Sequence, residues 1–167
     1  MATIFTTIAG SRLYGFDRKD SDYDTYTVTD STNLKARQTV NGPYDLVRVG
    51  FNGFLIKALG GSHQSVEAMM SPLKEWNEEY LYLKPFVDNM VVCGSAVYQK
   101  YERTIKKFCY GDFKKRRHAV RLSLNLEDLR SVGRFNPIMS EIDIDLCNTL
   151  ADRLEGDALW TALMETK

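Results

Sequence analysis

Thr3-Ile4-Phe5-Thr6-Thr7-Ile8-Ala9-Gly10-Ser11-Arg12-Leu13-Tyr14-Gly15, with Ser21-Asp22-Tyr23-Asp24 close behind, is the stretch from which the fold follows. Thr3 to Ala9 is β-branched and aromatic and predicts a buried strand. Gly10 turns the chain, and Ser11 is placed to cap a short helix through Tyr14 or Gly15. Phe16 to Ser21 is a polar loop, and Asp22 to Val28, rich in Tyr and Thr, predicts a second strand. Residues i and i+2 of a strand point to one side, so Asp22 and Asp24 aim at one spot with Tyr23 turned away. Converging carboxylates repel each other and stay ionised together with a cation between them. Oxygen-only donors suit a hard divalent ion, Mg²⁺ or Mn²⁺. The Gly10-Ser11 turn offers backbone N–H groups at a helix start, where a phosphate would sit. A cation beside a phosphate cradle is the equipment of phosphoryl or nucleotidyl transfer.

Outward from this stretch, Thr29 to Gln38 is polar and predicts a loop, and Asn41-Gly42-Pro43 predicts a turn. Asp45 to Val49 then forms a third strand. Gly50 to Leu59 predicts a helix with Phe51, Phe54, Leu55 and Ala58 on one face, ended by Gly60-Gly61. Gln64 to Met70 is short and apolar, either a strand or a buried turn, and Leu73 to Leu83 is ambiguous. Pro85 suits the first turn of a long helix, and Val97 to Phe108 continues helical. Lys114 to Val132 carries Ala119, Leu122, Leu126 and Leu129 at helical spacing, and Gly133 stops it. Pro137 to Leu154 and Asp157 to Met164 predict two more helices. The expected fold is α/β, or α+β by strict labels. A small mixed sheet core with flanking helices would occupy residues 1–83, and a helical region packed on that core residues 84–167.

Composition narrows the class. Lys plus Arg and Asp plus Glu both number 22, so net charge argues for no particular partner. Its distribution says more: from Arg103 to Arg121 there are eight basic residues against one acid, Asp112, whereas the chain beyond Glu141 is acid-rich. Cys93, Cys109 and Cys147 lie far apart, with no CxxC, which suggests neither a zinc site nor a disulfide framework. A reducing cytoplasm is the expected home. No signal peptide is evident, and no apolar run approaches the roughly 20 residues of a membrane span, so no membrane partner is expected. Neither a P-loop nor a G-x-S-x-G nucleophile elbow occurs.

Gly10-Ser11 followed by Asp22-x-Asp24 resembles the signature of the DNA polymerase β-type nucleotidyltransferase superfamily. The fuller string GSRLYGFDRKDSDYD is similar to a narrower set of predicted nucleotidyltransferases linked to RNA repair pathways. Asp45 to Leu55 resembles the family's third strand and following helix, and Gly60 to Pro72, containing Glu67, its glycine-to-E-x-x-x-S-P stretch. Arg117-His118-Ala119-Val120-Arg121-Leu122 resembles its basic H-A-x-R-L helix. The resemblance runs from about residue 4 to about residue 137, judged by motif order.

It implies transfer of a nucleoside monophosphate from a nucleoside triphosphate, ATP among them, to an acceptor hydroxyl on an RNA 3′ end, a protein or a small molecule. Asp22 and Asp24 would hold Mg²⁺ or Mn²⁺. The third carboxylate such enzymes use would be Asp45, with Glu67 as the alternative. A salt bridge from Glu67 to the later basic helix is the bland reading of that residue. Gly10 and Ser11 would hold the triphosphate, with Arg12 adding charge. Arg117 and Arg121, at i and i+4, share a helix face and would grip phosphate, and adjacent His118 would touch base or phosphate. A solvated basic helix start is the plain alternative. Two other classes stay open: a catalytically silent, antitoxin-like module of the same fold, and a structural partner in a larger complex. Oligomeric state is not specified by the sequence.

Overall fold

A computed structural model describes residues 1–165. The elements are β1 (Thr3–Ala9), α1 (Ser11–Tyr14), β2 (Tyr23–Thr29), β3 (Arg37–Asn41), β4 (Tyr44–Gly50), α2 (Phe51–Leu59), α3 (His63–Met70) and β5 (Glu75–Trp76). A 3-10 turn (Glu78–Leu83) follows, then α4 (Lys84–Asp88), α5 (Ser95–Cys109), α6 (Phe113–Val132), α7 (Glu141–Arg153) and α8 (Gly156–Glu165). The fold is mixed α+β with one five-stranded mixed sheet. The chain divides into two compact units. One comprises Met1–Val91 with Asn136–Ile138, the other Val92–Phe135 with the residues from Met139 on.

In the first unit the sheet runs β3-β4-β2-β1-β5. The β2–β4 pair is parallel and the others are antiparallel. Alternation assigns the faces. Phe5 and Thr7 of β1, Tyr26 and Val28 of β2 and Val49 of β4 are all buried and lie in one cross-strand row set. That face meets α2 and α3, whose Phe54, Ala58, Val66 and Met69 are buried as well. Phe5 and Phe54 meet edge to face at 5.4 Å, and burial of each such ring is worth about 2–3 kcal/mol. Polar atoms on this face are paired: Tyr26 with Ser65 at 2.7 Å, and Thr7 with Ser71 at 2.6 Å.

Three expectations are corrected here. Gln64 to Met70 belongs to helix α3, neither strand nor turn. Its residues from Ser65 to Met70 are all buried, so no amphipathic period marks it as helix. The end of the expected Thr29–Gln38 loop enters β3, an edge strand with all five residues exposed and hence no apolar alternation. The long helix expected from Pro85 stops at Asp88, and α5 begins only at Ser95. Val91, Val92 and Gly94, all poor helix formers, lie in the gap.

The second unit is helical. Helix α6 packs against α5 and α7, and α8 against α5. Helix α5 buries Val97, Tyr101, Ile105 and Cys109, four apart in each case. The Asp112 side chain caps α6 by accepting from the Lys115 N–H at 2.9 Å. Gly133, left-handed at φ 72°, closes it.

Candidate metal and phosphate site

The site grows from the end of β1. Ala9 is the last paired residue, with Asp24 as its partner across the antiparallel ladder. Gly10 then turns the chain at φ 66°, ψ −154°, a region essentially reserved for glycine. Space demands glycine too: a Cβ there would lie 2.0 Å from Asp24 Oδ2. The Asp24 carboxylate therefore rests against the backbone of the turn.

On its other side Asp24 pairs in register with Asp45, at the same end of the parallel β2–β4 ladder. Both acids continue the buried row of Tyr26, Val28 and Val49, so they stand on the helix-covered face where its cover runs out. There they line a cavity of about 90 Å³ together with Gly10, Tyr14, Gln38 and Glu67. Ligand pockets run about 300–1,000 Å³. This cavity has room for a cation and part of a phosphate, and a nucleoside would lie outside it.

Each acid is held differently. The Gln38 amide Nε2 donates to both Asp45 oxygens, at 3.0 and 2.8 Å. Glu67 is only 2 % exposed and accepts a 2.6 Å hydrogen bond from the Tyr14 hydroxyl, which offsets part of the cost of its burial. The structure thus draws Asp24, Asp45, Glu67 and Gly10 into one cavity lining. Asp22 lies one residue before β2, exposed and outside that lining. Ser11 opens α1, its carbonyl accepting from the Gly15 and Phe16 N–H groups, and it too is outside the lining. Arg12 clips the loop before β2: its guanidinium donates to the Ser21 and Asp22 carbonyls and lies 3.8 Å over the Tyr23 ring.

Among the described residues no three His, Cys, Asp or Glu side chains gather into a metal-holding group. That number is not needed for Mg²⁺ in a triphosphate site, where one or two carboxylates suffice and water and phosphate oxygens complete the shell. Asp24 and Asp45 supply two carboxylates to the lining, both Asp45 oxygens accepting from the Gln38 amide. Gln38 was not a sequence candidate. Its role depends on the β3–β4 register, and β3 carries no strand signal of its own.

Arg117, His118 and Arg121 lie on α6 of the helical unit. Arg121 is 2 % exposed and donates from Nε to His118 Nδ1 at 3.2 Å. Both arginines act on Cys147, but burial dominates and pushes that thiol up to about 12. Burial likewise raises Cys109 to about 11 and Tyr26 to about 12, the Ser65 hydrogen bond opposing it at the tyrosine. All three cysteines are free thiols, and Cys93 is the exposed one.

No family model matches this sequence, and no curated protein matches it significantly. Among the described residues no helix is long and apolar enough to cross a membrane.

Proposed function

We propose that the chain is a metal-dependent nucleotidyltransferase. It would move a nucleoside monophosphate from a nucleoside triphosphate to an acceptor hydroxyl and release pyrophosphate, as its resemblance to the DNA polymerase β-type superfamily implies. One observation carries this reading: Asp24 and Asp45 stand in register on neighbouring parallel strands, with Asp24 against the glycine turn that follows β1. Asp24 and Asp45 would hold Mg²⁺ or Mn²⁺, which when bound offsets triphosphate charge and polarises the reacting phosphorus. Gly10 lets the Asp24 carboxylate rest against the turn backbone, so a cation on Asp24 would lie beside that turn. Gln38 orients the Asp45 carboxylate. Tyr14 and Glu67 stiffen the cavity wall through their buried hydrogen bond. The acceptor would be an RNA 3′ end, a protein hydroxyl or a small molecule.

The placement of Asp22 outside the cavity favours a second reading, a module of the same fold that binds nucleotide or a partner without turnover. One experiment separates the two: incubation with each labelled triphosphate, Mg²⁺ or Mn²⁺ and pooled RNA. Under the enzyme reading label moves to an acceptor, and Asp24→Asn or Asp45→Asn lowers the rate about 1000-fold. Gln38→Ala lowers it about 2- to 10-fold, the worth of one positioning hydrogen bond. Thermal stabilisation by nucleotide without transfer would support the silent module instead.

A further inference from the structure

The opposite face of the same sheet carries a second set of groups, none of them used by the reading above. Tyr23 and Tyr44 are register partners at one end of the β2–β4 pair. Their rings stack at 5.5 Å with 25° between planes, yet they stay 47 % and 59 % exposed. Arg12 lies 3.8 Å over the Tyr23 ring, whereas among the described residues Tyr44 has no ring or cation contact besides Tyr23. Four residues along β4, on the same face as Tyr44, stands Arg48, directly opposite Arg37 in the antiparallel β3–β4 ladder.

Like charges placed directly opposite in a ladder are destabilising. The usual remedy, an acid between them, is missing. Arg37, Arg48 and Lys35 line one cleft of about 260 Å³ whose lining contains no Asp or Glu. Among the described residues, none of these three side chains makes a hydrogen bond or ion pair. Paired guanidiniums without an acid match a phosphate, whose oxygens accept from their forked N–H groups. An open stacked ring four residues away along the same strand, about 13 Å from them, matches a nucleobase further along the same nucleic-acid chain, whatever its identity.

We propose that the outer face of β4 and β3 binds single-stranded nucleic acid, with a base stacked on Tyr44 and backbone phosphates held by Arg37, Arg48 and Lys35. A duplex keeps its bases inside its own stack and offers nothing to Tyr44. An acidic peptide would engage the arginines and ignore the ring. The inference goes beyond the transferase reading and does not require it. Its test runs in EDTA without nucleotide, so either can fail alone.

The probe is a fluorescent mixed-sequence RNA or DNA strand of about 12 nucleotides, followed by anisotropy across a salt series. Tyr44→Ala is expected to weaken binding about 5- to 100-fold, while Tyr44→Phe keeps it. Arg37→Ala combined with Arg48→Ala is expected to weaken it and flatten the slope of log affinity against log salt by about 1.4. Circular dichroism confirms that each variant is folded. The proposal is overturned if the native protein does not bind the strand, or if the folded Tyr44→Ala variant binds it like the native protein. It is equally overturned if a duplex of the same length or a poly-glutamate peptide binds as tightly as the single strand.

Discussion

In the helical unit Arg116 donates to the carbonyls of Ala151 and Gly111, both at 3.0 Å, and Arg121 is buried against His118. In the sheet unit Arg37 and Arg48 face each other across a strand pair with no acid beside them. The helical arginines come from the densest basic run of the chain, the one that sequence inspection singles out for phosphate. The strand arginines lie eleven positions apart and draw no notice in the sequence. A run of charge on a helix points all round, and part of it is drawn into holding the fold. A charge pair assembled by register is held on one face. Two solvent-facing arginines without acids are a cost to folding that a ligand can repay.

The contrast can be broken by stability measurements. The largest effect is expected from Arg121→Met. Removing a buried guanidinium strands the groups that face it, at about 3 kcal/mol by urea denaturation. A loss below about 0.5 kcal/mol would mean that Arg121 is as free as the strand pair.

Gly10→Ala comes next, at about 2 kcal/mol, part from the backbone region and part from the approach to Asp24. Adding Asp24→Ala should recover about half of it, because the clash goes and the dihedral stays. Failure to recover anything would put the whole cost in the backbone.

Alkaline titration tests how completely burial governs the helical unit. Cys109 and Cys147 are raised from 9.0 to about 11 and about 12, so above pH 9 the unfolded chain loses thiol protons that the folded chain keeps. Tyr26, in the sheet unit, adds the same effect from 10.0 upward. Stability is therefore fully present below pH 9 and declines as pH rises, by up to about 1.4 kcal/mol per pH unit for each thiol. In the folded protein at about pH 8, a thiol reagent should meet Cys93 alone.

The smallest effect sharpens the contrast most. Arg37→Ala with Arg48→Ala should change stability by less than about 0.5 kcal/mol, with any shift toward greater stability.

Much of the fold is legible along the chain. The β1 turn, α1 and β2 follow from β-branched residues, a glycine and a polar loop, and α6 from its apolar spacing and the glycine at its end. Helix α3 is not legible because burial on every side erases its period, and β3 because exposure on every side does the same. At the site, Asp24 and Asp45 show themselves as acids at the starts of strands. Gln38 does not, since only the β3–β4 hairpin brings it to Asp45. Asp22 directly precedes β2 and is not part of the cavity lining.

Turns, caps and alternation act over a few neighbouring residues, so composition and spacing settle where most elements lie and which residue types they carry. Partnership is another matter. That Asp24 meets Asp45 and Gly10, that Tyr23 stacks on Tyr44, and that Arg37 faces Arg48 depend on strand register. Register is set by burying one complete face of the sheet, an energy summed over residues far apart in the chain.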